Sequence, residues 1–168
     1  MDSAFADLAG MSDRIVRAAK KGFAEKTGMR GRVTAIDPRT GKTLLKVSNL
    51  VTTVGKQQAA KLWVDDGSPA AMKYLAIGTG TTDPVVGDTT LEGEISTGGG
   101  ERGLATCSVT GAVAKAELTH NFTGTFAVTK IGWFDAASNG NMGAETEFGA
   151  WNVVSGDQVK WIYEMTFG

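Results

Sequence analysis

The chain has 168 residues, and its 17 basic and 18 acidic side chains give a formal net charge of -1. This length fits one domain of common size with an appended arm, and the charge balance gives no overall basic attraction to nucleic acid. The 23 glycines against 3 prolines favour an all-β protein with many tight turns over a helical bundle. One cysteine, Cys107, excludes an internal disulfide framework, and its apolar-alternating neighbours predict a small buried side chain.

The N-terminal third is basic. Residues 14–46 hold ten lysines and arginines against Glu25 and Asp37, while the remainder is net acidic. This asymmetry suggests contact with an acidic surface, either a protein neighbour or nucleic acid. No run approaches the roughly 18 apolar residues of a membrane helix. The acids Asp2 and Asp7, without a basic region, argue against a secretory signal. We expect folding in a reducing cytoplasm.

Residues 3–26 are the best helix candidate in the chain. Their apolar side chains recur every three or four residues on one stripe, namely Phe5, Leu8, Met11, Ile15, Ala19 and Phe23. Arg14, Arg17 and Lys21 share a basic face. We interpret residues 1–30 as an N-terminal arm that docks on a neighbouring subunit, because a terminal helix outside a β domain must bury its stripe. A solvated amphipathic helix is the alternative, and a membrane-surface helix fits less well.

Residues 31–168 predict one β domain. A hairpin over residues 31–47 turns at Asp37–Gly41, and a short helix capped by Thr53 follows, with Leu62 and Trp63 expected in the core. Further strands are predicted by the patterns of 104–109, 116–122, 126–135, 141–148 and a period-2 strand that ends the chain after Ser155-Gly156-Asp157. Eight or nine strands and one internal helix indicate a mainly β fold, a β-sandwich or jelly-roll-like domain.

The stretch from Met72 to Ile95 organises the domain. It starts as an apolar strand, breaks at Gly78-Thr79-Gly80, continues as a polar loop and returns to an apolar anchor at Leu91. Ordered surface loops of this length are more often interaction surfaces than spacers. Thr79, Thr81 and Asp83 are therefore candidate assembly contacts. The glycine run 98–100 predicts a flexible loop.

No reactive constellation is visible in the sequence. His120, the only histidine, lies on the apolar side of its strand and is interpreted as a hydrogen-bonded core or interface residue, not a metal ligand. The acid pairs Glu92/Glu94 and Glu145/Glu147 alternate as on the solvent face of a strand, although glycosidase-like carboxylates also pair in this way. We expect no catalytic, cofactor or metal site, so the chain is predicted not to be an enzyme.

Three stretches of the second part of the chain follow one another in a particular order. The first is NLVTTVG (49–55) before a helix to Trp63, and the second is YLAIGTGTTDPVVGDTTLE (74–92), with Arg102 after it. The third is IGWFD (131–135), a small-residue turn, a strand to Phe148 and SGD (155–157). In this order and spacing the chain resembles tail-fibre, tail-collar and capsid-decoration proteins of tailed bacteriophages. The resemblance covers about residues 49–168, and it departs at Trp133, where such proteins more often carry an aliphatic residue.

The resemblance implies a virion component that is not an enzyme and that assembles in symmetric copies with other phage virion proteins inside the host bacterium. Closed rotational symmetry, with a trimer favoured, would bring the basic N-terminal third against an acidic neighbour. Tail association (fibre, collar or baseplate type) is the first expectation, with neither a membrane nor nucleic acid as partner. A capsid decoration (cement) protein is the alternative. The sequence stops at Gly168 directly after the last predicted strand, which favours a stand-alone subunit and so supports this alternative. A carbohydrate-binding β-sandwich module is a second alternative, for which Trp133, Trp151 and Trp161 would have to be exposed in a line.

Overall fold

A computed structural model describes residues 28–168. Within this range the chain forms nine β-strands and one α-helix, so the mainly β class and the single internal helix are confirmed. The helix is α1 (Thr53–Val64). The strands are β1 (Met29–Ile36), β2 (Thr43–Val51), β3 (Tyr74–Gly78), β4 (Gly103–Leu104), β5 (Thr106–Thr110), β6 (Val113–Asn121), β7 (Phe126–Phe134), β8 (Met142–Val153) and β9 (Gln158–Phe167).

All strands belong to one antiparallel sheet with the order β4-β3-β7-β8-β2-β1-β9-β6-β5. The first and last strands of this order are consecutive in the chain and are separated by Ala105 alone. The sheet therefore curves back on itself into a near-barrel, and the chain crosses from one edge to the other at Ala105, whose N–H donates to the Lys73 carbonyl at 2.8 Å. A sandwich or jelly-roll arrangement stays a prediction.

The main core lies inside the curve. β9 alternates as predicted, with Val159, Trp161, Tyr163 and Met165 buried on one face, although Phe167 at its end is exposed. The aromatic side chains connect opposite sides of the sheet. Trp133 of β7 lies 5.3 Å from Tyr163 between ring centroids, and Phe148 of β8 lies 5.9 Å from Trp161. Burial of these rings therefore stabilises the near-barrel.

A second, smaller core lies on the outer face of β3, β7 and β8. It consists of Ala76, Leu91, Phe134 and Met142. Leu91 belongs to the loop that follows β3, so the predicted apolar anchor of that loop is confirmed. Because this loop covers the outer face, β7 and β8 are buried on both sides over much of their length.

The two predicted hairpin turns are present. Asp37 accepts hydrogen bonds from the Arg39 N–H and the Thr40 hydroxyl, both at 2.9 Å, and stabilises the β1–β2 turn. β7 and β8 are joined by residues 135–141, and within this loop Asn139 and Gly140 both have positive φ angles, of 53° and 74°. β8 then continues to Val153 as one strand instead of ending at the predicted residue 148. A register shift opposite β7 accommodates the extra residues as a β-bulge.

The helix and the glycine run differ from prediction. Thr52, not Thr53, caps α1, because its hydroxyl accepts from the Gly55 N–H at 2.9 Å. The predicted flexibility of 98–100 does not fit the close packing of this loop. A Cβ on Gly99 would lie 1.9 Å from the Asn121 carbonyl oxygen, so the glycine lets two backbone segments meet. The predicted division into residues 1–30 and 31–168 is not tested, since the description begins at Gly28.

Candidate functional site

An apolar groove opens at the end of the near-barrel where β1 begins and β9 ends. It encloses about 380 Å³ between α1 on one side and β5, β6 and β9 on the other. We call it the α1–β5 groove. Its hydrophobic wall is formed by Met29, Leu62, Met72, Val109, Met165 and Phe167. A concave, mainly hydrophobic site of this size suits apolar side chains of a partner better than a polar substrate.

The groove exists because the sheet is not paired along its whole length. β4 pairs with β3 and β5 with β6, but beyond Ala105 no backbone pairing joins β5 to the segment before β3. The two segments still touch through the Cys107 thiol, which lies 3.8 Å from the Met72 carbonyl oxygen. Helix α1 covers part of the gap and leaves the remainder open to solvent.

The first half of α1 is fixed to the sheet. Gly55 packs so closely on β8 that a Cβ there would lie 2.0 Å from the Gly143 carbonyl oxygen. One turn later, Gln58 donates to the Asp135 carboxylate at 3.0 Å, and both side chains are buried. The last turn of the helix has no such contacts and extends to solvent. The position of the groove wall is thus set by the N-terminal half of α1.

Hydrophobic side chains at and beside the groove are exposed. Trp63 is 91% exposed and Val109 is 74% exposed, and Leu62, Val64 and Phe167 are exposed as well. The prediction that Leu62 and Trp63 lie in the core is wrong. Three consecutive apolar residues on a helix point about 100° apart, so the last turn cannot direct all of them inward. This run was the available signal for an exposed apolar surface. Large exposed apolar patches mark sites of interaction.

Cys107 is exposed on β5, so its predicted burial is also wrong. All five residues of β5 are exposed because it is the edge strand of the sheet on the groove side. Partial desolvation of the thiol raises the pKa of Cys107 above its ordinary value. The thiol is therefore accessible without being activated as a nucleophile.

The loop of residues 79–95 is the second candidate surface. Thr79, Thr81 and Asp83 are exposed, as an interaction surface requires. The loop is nevertheless fixed to the domain by polar contacts. The Glu92 carboxylate accepts from the Thr82 N–H and hydroxyl, both at 3.0 Å, and this bonding lowers the pKa of Glu92. These contacts order the loop and hold its exposed side chains in position.

A buried charge cluster lies beneath this loop. The Lys130 ammonium is 3.7 Å from Glu145 and 3.4 Å from Glu92. Glu145 is 1% exposed, so its predicted place on a solvent face is wrong, because the loop covers that face of β8. Burial and the neighbouring Asp88 carboxyl raise the pKa of Glu145 to about 8. At neutral pH the raised pKa favours the neutral carboxyl of Glu145, and the same proximity to Glu145 lowers the pKa of Asp88.

Arg102 connects the loop to the β7–β8 turn. Its guanidinium makes two hydrogen bonds to Glu94, at 2.8 and 2.7 Å. It also donates to the backbone carbonyls of Ala136, at 3.0 Å, and Asn139, at 2.7 Å. The guanidinium carbon lies 3.6 Å from the centre of the Phe134 ring. With these partners satisfied, Arg102 is a structural residue with little capacity left for a ligand.

His120 is buried, and its Nε2 lies 3.0 Å from the Glu101 carbonyl oxygen, so the predicted hydrogen-bonded core histidine is confirmed. Desolvation lowers the pKa of His120, which favours the neutral ring. Across residues 28–168 no group of three or more His, Cys, Asp or Glu side chains is placed to hold a metal ion. In the same part of the chain no helix is long and apolar enough to cross a membrane.

Seven predicted contact residues lie outside the described range, namely Phe5, Leu8, Met11, Arg14, Ile15, Arg17 and Lys21. The structure does show where the segment that carries them joins the domain. Gly28 exchanges backbone hydrogen bonds with Gly168, and the next residue, Met29, is part of the groove wall.

No protein-family model matches the chain, and no curated protein matches it.

Proposed function

We propose that this chain is a non-enzymatic structural subunit that assembles with copies of itself. The observation that carries the proposal is the α1–β5 groove with its exposed wall residues Leu62, Val109 and Phe167, next in the chain to the exposed Trp63. The polar groups elsewhere in the domain, such as Arg102 and Lys130, are engaged in contacts within the fold. Burial of the groove surface against a partner would remove exposed apolar area from water.

More specifically, the subunit is a component of a tailed-phage virion and is tail-associated, of the fibre, collar or baseplate type. The sequence resemblance motivates this assignment, and the packing of its motifs supports it. The GTGTT-P loop is held to the IGWFD hairpin through Arg102 and Glu94 on one side and through Lys130 and Glu92 on the other. Motifs that are adjacent in the resemblance thus form one physical unit.

Assembly in this proposal uses both parts of the chain, the N-terminal arm of residues 1–30 and the β domain of residues 31–168, considered as a β-sandwich or jelly-roll-like unit. A closed trimer brings the basic N-terminal third against an acidic neighbour. In the described part of that third, Arg32 already pairs with Glu164 of the same chain, while Lys42 and Lys46 are exposed. The latter two are available for a neighbour. Other virion proteins complete the partners.

A capsid decoration protein is the second candidate. It is favoured by the position of Gly28, from which an arm leaves the domain beside an apolar groove and can connect neighbouring copies on a shell. The carbohydrate-binding module gains no such support. It requires exposed aromatic side chains in a line, and two of the three proposed tryptophans, Trp133 and Trp161, are buried.

Localisation on purified particles tests the proposal. A copy with a tag inserted at the β1–β2 turn, where Gly41 is exposed and open to solvent, is imaged by electron microscopy. We expect label at the tail or its tip. Label distributed over the head in many copies would assign the decoration role instead. Particles without any label would overturn the virion assignment.

A further inference from the structure

We propose that the α1–β5 groove is the binding site for the N-terminal arm of a neighbouring copy, with Phe5, Leu8, Met11 and Ile15 as the residues that enter it. This inference rests on the proposed self-assembly and specifies its contact. It assigns both sides of one interface, the groove on the β domain and the stripe on the arm.

The chemistry of the groove suits such a stripe. Three of its wall residues are methionines, Met29, Met72 and Met165. Unbranched, polarisable methionine side chains adapt their shape to an inserted apolar residue, which is why they are frequent at surfaces that bind amphipathic helices. The stripe of the arm has one phenylalanine, one leucine, one methionine and one isoleucine, which are large apolar side chains suited to fill the groove.

Chain geometry favours a neighbouring copy over the same chain. The arm joins the domain at Met29, so its Phe23 is the stripe residue nearest to its own groove. In a continuous helix with a rise of 1.5 Å per residue, Ile15 lies about 12 Å and Phe5 about 27 Å beyond Phe23. A cavity of about 380 Å³ accommodates a few side chains, not a helix of that length. We therefore expect the bulky end of the predicted helix to extend past its own groove and to reach a neighbouring copy.

Net charge supports the same pairing. Asp65 and Asp66 follow Trp63 at the end of α1, and both are exposed. Residues 14–26 of the arm hold five lysines and arginines against one glutamate. Opposite charges on two partners increase the rate of their association. Because the basic face of the predicted helix lies opposite its apolar stripe, we expect these charges to steer the approach of the arm without pairing with the two acids after docking.

The single native cysteine allows a direct test, because Cys107 lines the groove and is exposed. Leu8→Cys in the full-length protein places a second thiol on the stripe. Ala6→Cys is the matched control, since residue 6 lies on the opposite side of the predicted helix. Both variants are oxidised mildly and compared on non-reducing gels, and the linked residues are identified by mass spectrometry.

We expect Leu8→Cys to give at least fivefold more covalent dimer than Ala6→Cys, with a disulfide between residue 8 of one copy and Cys107 of another. The dimer should disappear when Cys107→Ser is added. A disulfide within one chain, equal dimer from both variants, or a dimer that survives Cys107→Ser would each overturn the proposal. The measurement uses purified protein only, so its outcome is independent of where the protein is found on particles.

Discussion

Two regions of this domain depart from a simple polar surface over an apolar core, and they do so in opposite ways. Under the loop of residues 79–95, charged and titratable groups are buried, but Arg102 pairs with Glu94, Lys130 lies 3.4 Å from Glu92, and the raised pKa of Glu145 favours its neutral form. At the α1–β5 groove, apolar groups such as Leu62 and Val109 are exposed and have no covering element among residues 28–168. The first region is covered by the chain itself, whereas we propose that the second is covered by association with another copy.

This comparison predicts that changes in the first region alter stability and that changes in the second alter assembly. The largest effect is expected for Arg102→Ala. The substitution removes four hydrogen bonds and leaves Glu94 with no compensating cation, which destabilises the fold by about 3 kcal/mol. Urea denaturation measures the change. Arg32→Ala is the control, because the Arg32–Glu164 pair lies at the surface and should contribute less than about 1 kcal/mol. Equal losses for the two variants would contradict the account.

The next effect concerns pH. The pKa of Glu145 is raised to about 8 in the folded protein, from 4.5, so the folded state binds a proton that the unfolded state has released between these values. Its contribution to stability is therefore complete below pH 4.5 and is lost as the pH rises through about 8. We expect the free energy of unfolding to fall by an amount on the order of 2 kcal/mol from pH 6 to pH 8.

Glu145→Gln removes this titration while Asp88 and Lys130, the groups that face it, are kept. The variant should be much less sensitive to pH over the same interval. Glu164→Gln serves as the control at an exposed ion pair and should follow the wild type. If Glu145→Gln and the wild type lost stability in parallel, the buried protonated carboxyl would be refuted.

A smaller effect is expected where the helix meets the sheet. Gly55→Ala introduces a Cβ 2.0 Å from the Gly143 carbonyl oxygen, so α1 must move, at a cost of about 1–2 kcal/mol. The same change at Gly149 meets no atom within 4 Å and should alter stability by no more than about 0.5 kcal/mol. Thermal unfolding of both variants distinguishes them, and similar melting temperatures would show that α1 is not held by this contact.

The smallest effect on stability, and the clearest on assembly, is expected at the groove. Val109→Ser at the groove wall should change the free energy of unfolding by no more than about 0.5 kcal/mol. It should weaken self-association at least threefold. Val154→Ser is the matched control, because Val154 is also exposed but lies at the opposite end of β8 from the groove. Sedimentation at several concentrations gives both constants, and equal weakening by the two variants would speak against the groove as the contact.

Burial that follows a local pattern could be predicted from the sequence, and burial caused by a distant segment could not. The alternation in β9 predicts the burial of Trp161 and Tyr163 because one face of that strand packs on the core and the other does not. The same reasoning fails for Glu145, since the loop that covers the outer face of β8 is distant in sequence and leaves no local signal there.

The groove was missed for a related reason. Helix propensity predicts α1, but the usual burial of large apolar residues predicts that Leu62 and Trp63 lie in the core, whereas both are exposed. Only the positions of β5 and the segment before β3 show that the sheet ends short of this helix turn. That gap is a property of the tertiary structure. In the sequence, the apolar run 62–64 is the only sign that this helix turn exposes apolar side chains. The apolar stripe of the arm, which we propose binds in the groove, is predicted from the sequence alone.

Removal of residues 1–26 tests the central claim most directly. The full-length chain and the truncated chain are compared by sedimentation equilibrium at the same concentrations, with their thermal unfolding measured in parallel. The account predicts that the truncated chain unfolds at nearly the same temperature but sediments as a monomer, while the full-length chain forms a closed oligomer, with a trimer favoured. An unchanged oligomer without the arm, or a truncated chain that no longer folds, would contradict it.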